Sequence, residues 1–182
     1  MTNTHSPSEI LDFWFQDDVK KMWFGSTPEF DQSLKDKYEG LLDAATAGEL
    51  NEWKQTTEGA LALCIILDQF PLNMFRDQAR SFSTEANSRD VAAFALDKGL
   101  DKDLNDDQRL FLYLPFMHSE NLDDQNRSVE LFTAAGMEAR WAEHHRDIVK
   151  RFGRFPHRNA ALGRSCTAEE EEYLNSQEAF HG

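Results

Sequence analysis

The sequence predicts a single all-α domain over residues 1–182, with about eight helices joined by short connections. Apolar residues recur at helical spacing along most of the chain, and a glycine or a proline closes most of these segments. The sequence lacks the alternating apolar and polar runs, and the Asn-Gly pairs, that are typical of β-hairpins. Hydrophobic residues make up 40% of the chain, which is enough for a packed core.

The first half of the chain contains three of the predicted helices. Residues 6–15 begin with Ser-Pro-Ser-Glu, which supplies an N-cap, a proline at the first helical position and a capping-box glutamate. Residues 27–48 begin in the same way with Thr-Pro-Glu and end at a glycine. The third helix starts at Thr57, and its segment 60–67 is apolar on every side, which predicts a central position. We expect it to stop before Pro71, because the residue preceding a proline is disfavoured in the helical region.

We expect five further helices, over residues 83–98, 105–116, 123–135, 137–152 and 167–174. Glycines end the first, third and fourth of them. Pro115 should end or kink the second, because a proline breaks the backbone hydrogen bonding of a helix. The last begins with a capping box, Thr-Ala-Glu-Glu, and forms with the tail a short acidic end over residues 167–182.

Charge and composition argue against several classes of protein. A net charge of −14 makes nucleic acid or an anionic membrane an unfavourable partner for the surface as a whole. The longest apolar run is far shorter than the roughly 20 residues of a membrane span, and no amino-terminal leader is apparent. Cys64 and Cys166 are too few for a disulfide framework or a zinc cluster, so we expect no metal and no cofactor. We expect a cytoplasmic protein, and the sequence leaves its oligomeric state open.

One segment, residues 140–164, reverses the charge of the chain. It contains six arginines and one lysine against two acidic residues, a net +5, so the other residues together carry −19. The planar fork of arginine suits two-point contact with a carboxylate or a phosphate. These arginines either pair with the protein's own acidic residues or hold an anion from outside, and the sequence leaves both open.

The helix that opens this segment places His145 against its apolar face. At about 100° per residue, Trp141, Ile148 and Phe152 share one face, and His144 and His145 flank it or lie in it. A half-buried histidine needs a hydrogen-bond partner, so His145 is either a satisfied core side chain or an acid-base group. The histidine spacing is not that of a metal site, and we expect none.

A proline-stiffened corner follows this helix. Gly153 is expected to end the helix in a left-handed conformation, and Pro156 fixes the turn. The polar side chains of the corner are Arg154, His157, Arg158 and Asn159. A stiff corner lowers the entropy cost of binding a ligand, and it also suits a purely structural loop.

A similar corner occupies residues 68–76, with the polar side chains Asp68, Gln69, Asn73 and Arg76. Asp68 stands at the carboxyl end of the buried helix, where the helix dipole disfavours an anion. A carboxylate there should need a cation or several hydrogen-bond donors, and Arg76, Arg154 or Arg158 could supply the cation. We therefore predict that the two corners meet and that Asp68 pairs with one of these arginines.

A third polar group, His118, Ser119 and Glu120, follows the apolar end of a predicted helix. Such a group could hold a general base, a nucleophile or a metal ligand. Adjacent side chains rarely face each other, so a solvated helix end is the simpler interpretation.

The sequence resembles the bacterial domain-of-unknown-function family number 924, in residues 10–15, 23–24, 68–71, 113–120, 151–159 and 162–164. The resemblance implies a tetratricopeptide-like fold, in which antiparallel helix pairs stack in a right-handed array. Many relatives carry arginine where this chain has Leu72, so position 72 is a poor candidate for a shared role. The family's motif residues correspond here to Asp68, Gln69, Asn73, Arg76, His118, Glu120, His145, Arg154, His157, Arg158 and Asn159.

The preferred function is a binding module that takes an anionic small molecule, or the acidic end of a peptide, through its arginines. One alternative is a hydrolase of a phosphoester, with His118 or His145 as acid-base and Asp68 or Glu120 as the orienting carboxylate. A closed pocket that contains a histidine near a carboxylate would favour this enzyme.

Another alternative is a protein-interaction scaffold that uses aromatic residues such as Trp14, Trp23 and Phe24. These side chains suit core anchors of the first helices better. A large exposed aromatic patch would favour the scaffold.

Overall fold

The computed structural model describes residues 5–182, and this part of the chain is all-helical and without strands, as predicted. Its α-helices are α1 (Pro7–Trp14), α2 (Asp17–Lys20), α3 (Pro28–Thr46), α4 (Thr57–Cys64), α5 (Phe70–Met74), α6 (Glu85–Asp97), α7 (Asp106–Met117), α8 (Leu122–Ala134), α9 (Arg140–Phe152) and α10 (Ala168–Leu174). Within residues 5–182, no helix combines the length and the apolar character that a membrane span requires.

The chain forms two compact units. The first consists of Met1–Arg76 and Arg80–Pro115, and the second of Asp77–Ala79 and Phe116–Gly182. The single domain and the tetratricopeptide-like array stay predictions.

Side-chain caps confirm the predicted starts of α1 and α3 in the first unit. The hydroxyls of Ser6 and Thr27 each accept a backbone N–H from three residues on, at 3.3 and 3.2 Å. α4 begins at Thr57 as predicted, and the hydroxyl that caps it belongs to Thr56, which accepts the N–H of Gly59 at 3.1 Å. Local sequence therefore determines where these helices begin.

The helix that leads to Pro71 does not stop before it, contrary to the prediction. α4 passes into a π-helical turn, Ile65–Gln69, and continues as α5. In this wider turn the N–H of Phe70 donates to the carbonyl five residues back. In a regular α-helix the Leu67 carbonyl would accept from residue 71, but a proline has no N–H. The Thr84 hydroxyl donates to that carbonyl instead, at 2.6 Å, so the buried oxygen is satisfied.

The first unit buries its core around α4 and the π-helical turn. Residues 60–67 are buried on every side, as their composition predicts. The rings of Trp14 and Tyr38 pack against Phe70, with centroids 5.7 and 5.2 Å away. Trp14 is fully buried, as expected of a core anchor, whereas Phe24 is 73% exposed.

Pro115 lies inside α7 and does not end it, since the helix continues to its last residue, Met117.

The second unit packs α9 and α10 around a small apolar core. Its buried members are Ile148, Val149, Phe155 and Tyr173, and Phe152, Leu174 and Phe180 pack against them. α9 begins three residues later than predicted and ends where Gly153 adopts the expected left-handed conformation, with φ at 71°. Trp141, expected on the apolar face, is 51% exposed, whereas its neighbour Ala142 is fully buried, so the buried face of the first turn of α9 does not include Trp141.

Candidate functional site

The corner at Asp68 lies in the first unit, on the π-helical turn. Asp68 and Gln69 are 3% and 4% exposed, and Gln69 Nε2 donates to Asp68 Oδ2 at 2.6 Å. Asp31, near the start of α3, binds the other two polar residues of the corner. Its Oδ1 accepts from Asn73 Nδ2 at 2.9 Å, and its Oδ2 accepts from Arg76 Nε at 3.1 Å. Arg76 is thus held by a carboxylate that the sequence did not single out.

The predicted meeting of the two corners, with Asp68 paired to Arg154 or Arg158, stays a prediction. Its members belong to different units of the chain.

In the second unit, Arg154 and Asn159 bind the buried carboxylate of Glu170. Nε and Nη2 of Arg154 donate to its two oxygens at 2.7 and 2.8 Å. Asn159 Nδ2 and the Thr167 N–H donate to Oε2 at 3.3 and 2.8 Å. The hydrogen bonds from Arg154 foremost lower the pKa of Glu170, which is 2% exposed, to about 2. Two of the predicted ligand-binding residues therefore hold an internal carboxylate.

Arg164 binds Glu120 in the same manner. Its Nη1 and Nη2 donate to Oε2 and Oε1 of Glu120 at 2.7 and 2.9 Å, and the Phe155 N–H donates to Oε1 at 2.8 Å. Burial alone would raise the pKa of Glu120, but these hydrogen bonds hold it below its usual value. Arg164 Nε also donates to Asn159 Oδ1 at 2.9 Å, which joins Glu120 and Glu170 in one polar network.

Sequence reasoning singled out Arg154 and Asn159 but missed their partner, Glu170. The signal was the capping box of α10, which was predicted and is confirmed: Thr167 and Glu170 each accept the other's backbone N–H. The same carboxylate also accepts a hydrogen bond from Arg154, 16 residues earlier, and this contact depends on the path of the intervening loop.

His145 is a buried and hydrogen-bonded histidine. It is 6% exposed, and its Nδ1 lies 2.8 Å from the carbonyl oxygen of Trp141. A carbonyl can only accept, so Nδ1 carries the proton and Nε2 keeps its lone pair. Burial first, and then the nearby His118, lower the pKa of His145 from 6.5 to about 3. The imidazole is therefore neutral at physiological pH.

Two histidines and an arginine pack around the ring of Phe155. The Phe155 centroid lies 5.6 Å from the imidazole centroids of both His145 and His157, and 4.6 Å from the guanidinium carbon of Arg158. We call these four residues the Phe155 platform. Arg158 is 5% exposed, and its Nη2 donates to the carbonyl oxygen of His118 at 2.9 Å. Burial and then the charge of Arg158 lower the pKa of His157 to about 3.

One ring nitrogen of the platform has no partner. Nδ1 of His157 is buried and makes no hydrogen bond within the part of the chain that the structure describes. Among residues 5–182, no three histidine, cysteine, aspartate or glutamate side chains lie close enough together to hold a metal ion. The platform thus offers a buried cation and neutral imidazoles, the groups that bind an anion.

The platform makes the stability of the protein depend on pH. The pKa values of His145 and His157 are about 3 in the folded protein and 6.5 in the unfolded chain. Between pH 6.5 and about 3 the unfolded chain binds protons that the folded protein excludes. The contribution of these neutral histidines to stability is therefore complete above pH 6.5 and is lost as the pH falls. We expect the free energy of unfolding to decrease by up to about 1.4 kcal/mol per pH unit for each histidine.

Urea unfolding at several pH values between about 7 and 5 measures this slope, above the range in which glutamates titrate. His145→Gln removes one of the two titrating groups and should flatten the slope by about half. An unchanged slope in this variant would contradict the lowered pKa of His145.

Comparison with known proteins gives a family and a structural relative. A family model described as a bacterial protein of unknown function, DUF924, matches residues 10–178. A solved structure of a protein of unknown function from Agrobacterium tumefaciens is 40% identical, covers 93% of this chain and 96% of its own, and superposes with a TM-score of 0.87. No curated protein matches the sequence. The chain therefore belongs to the DUF924 family of bacterial proteins.

Proposed function

We propose that the protein binds a small anionic molecule, with a carboxylate or phosphate group, at the Phe155 platform. The observation that carries the proposal is the buried, unpaired Nδ1 of His157 next to Arg158. Buried polar atoms are almost always hydrogen-bonded, so an unpaired nitrogen beside a cation marks a place for an outside partner. An anionic oxygen can accept the N–H of His157 and is stabilised by the charge of Arg158.

The electrostatic field at the platform favours this partner. Burial first, and then nearby charges that include Arg158, lower the pKa of His145 and His157, so both rings lie within reach of the Arg158 charge. A bound anion would offset that charge and favour the protonated imidazoles. Two other arginines of segment 140–164, Arg154 and Arg164, each bind a carboxylate of the protein.

The hydrolase alternative has less support. Acid-base catalysis is most efficient when the pKa of the catalytic group lies near the working pH. With pKa values of about 3, His145 and His157 are weak bases that stay neutral at physiological pH. Glu120, the candidate orienting carboxylate, accepts hydrogen bonds from both terminal nitrogens of Arg164. Binding therefore accounts for the site better than proton transfer.

The scaffold alternative needs a large exposed apolar patch. Within residues 5–182, the exposed large apolar side chains are Phe24, Leu122 and Trp141. They are far apart along the chain, and single exposed apolar residues are common on protein surfaces. We therefore place the function at the platform.

Titration of the ¹⁵N-labelled protein with inorganic phosphate and with acetate tests the proposal. We expect the imidazole nitrogen signals of His145 and His157 to shift on binding, and the pKa of His157 to rise, because an anion favours the imidazolium. His157→Phe keeps an aromatic ring but removes the nitrogens, and Arg158→Gln removes the charge. Both variants should lose the response.

Arg151→Gln is the matched control, because Arg151 is an exposed arginine of the same segment that pairs with Glu169. This variant should bind phosphate as the wild type does. The proposal fails if neither anion shifts the histidine signals, or if the three variants respond alike.

A further inference from the structure

One aromatic ring covers the Phe155 platform. The segment after α10 turns back, and the centroid of Phe180 lies 4.6 Å from His145, 5.0 Å from His157 and 6.1 Å from His144. All three contacts are T-shaped, at interplanar angles of 63°, 84° and 77°. The Phe180 ring therefore lies against three imidazoles, and we call its surroundings the Phe180 slot.

The Phe180 slot combines an apolar side with an imidazole side. The Phe180 ring packs against the core of Ile148, Val149, Phe155 and Tyr173, and the three imidazoles complete its surroundings. Imidazoles present ring edges and nitrogens to their neighbour, which suits a planar ring with polar substituents. One of these nitrogens is the unpaired Nδ1 of His157. The slot thus adjoins the place of the proposed anion.

Phe180 belongs to a short segment outside the helices. Its N–H donates to the hydroxyl of Tyr173 at 2.9 Å, whereas residues 175–178 are exposed and no helix includes residues 175–182. The other hydrogen bonds of residues 175–179 are local turn contacts with residues 171–176, and an exposed segment held by local contacts opens at low cost. Another planar ring can therefore take the place of Phe180 without unfolding α9 or α10.

We propose that the Phe180 ring occupies the place of the ligand's own ring, and that the ligand is an aromatic ring bearing an anionic group, such as an aryl phosphate or an aryl carboxylate. The inference rests on the proposed function for the anionic group and adds the ring. The ligand ring packs among the three imidazoles, and its anionic group reaches Arg158 and Nδ1 of His157. Phe180 competes with the ligand for the slot.

Three probes separate the ring from the charge: phenyl phosphate has both, inorganic phosphate has the charge, and phenol has the ring. Each is titrated into the wild type, Phe180→Ala and Phe180→Leu, with the histidine signals as readout. We expect phenyl phosphate to bind Phe180→Ala at least about tenfold more tightly than the wild type, and more tightly than phosphate does. Phe180→Leu keeps apolar volume in the slot and should resemble the wild type.

Phe152→Ala is the matched control, because Phe152 packs against the same core but its ring contacts Tyr173. It should leave the affinity for phenyl phosphate unchanged. If phosphate binds but phenyl phosphate binds Phe180→Ala no better than phosphate does, the aromatic ligand is wrong and the anion site stands. If phenol binds Phe180→Ala but phenyl phosphate and phosphate do not, the anionic group is wrong in both proposals. Equal gains in Phe152→Ala and Phe180→Ala would also overturn the inference.

Discussion

Replacing Glu170 by alanine is expected to lower the free energy of unfolding by about 2 to 3 kcal/mol. The Glu170 carboxylate is 2% exposed and accepts hydrogen bonds from Arg154, Asn159 and the backbone of Thr167. Its removal leaves these donors without their acceptor in a largely buried position. The Arg154 side chain is 28% exposed, so water can solvate part of its charge, and the loss stays below that of a fully buried pair.

Urea unfolding at neutral pH measures this loss, and the neighbouring Glu169→Ala is its matched control. Glu169 lies on the same helix and pairs with Arg151, but the two side chains are 59% and 47% exposed. An exposed pair contributes less than about 1 kcal/mol, so the control should lose little. Equal losses in the two variants would show that the burial of Glu170 does not determine its contribution.

Replacing Gly59 by alanine is expected to destabilise the first unit by about 3 kcal/mol or more. A Cβ at this buried position would lie inside 3.0 Å of the Trp53 carbonyl group and of the Thr56 hydroxyl. The hydroxyl is the cap of α4, and the carbonyl accepts the N–H of Thr56. The substitution therefore forces backbone apart and disturbs the cap at the same time.

Gly40→Ala makes the same chemical change with the opposite expected sign. Gly40 is exposed within α3, and a Cβ there would meet nothing within 4 Å. Alanine has the higher helix propensity, so the free energy of unfolding should rise by about 1 kcal/mol. Urea unfolding of the two variants, compared at equal m-value, measures the difference. A loss of stability in Gly40→Ala would contradict the described surroundings of α3.

The helix starts could be predicted because their signals are local. The caps at Ser6, Thr27 and Thr167 each involve a residue and a backbone group a few positions away, which a sequence contains in full. The burial of His145 was predictable from helical periodicity for the same reason. The exposure of Trp141 was not, because periodicity indicates only the average face of a helix, and the first turn of α9 buries Ala142 instead.

The partners of the charged residues could not be predicted from their positions. The charge anomaly of segment 140–164 left open whether its arginines pair with the protein's own carboxylates, and two such partners, Glu120 and Glu170, lie 44 and 16 residues away from the arginines that bind them. The Phe180 slot was missed because no local signal relates a phenylalanine in a tail to the rings of His145 and His157.

The Thr84 hydroxyl, which completes the π-helical turn by bonding to a carbonyl 17 residues earlier, bears on the order in which the chain folds. A helix is usually a local object that can form before the rest of the protein. Here the Leu67 carbonyl gains a donor within the protein only when the start of α6 docks against the turn, and until then water bonds to it. We therefore expect this carbonyl to lose its water only at the step of folding at which α6 packs against the turn.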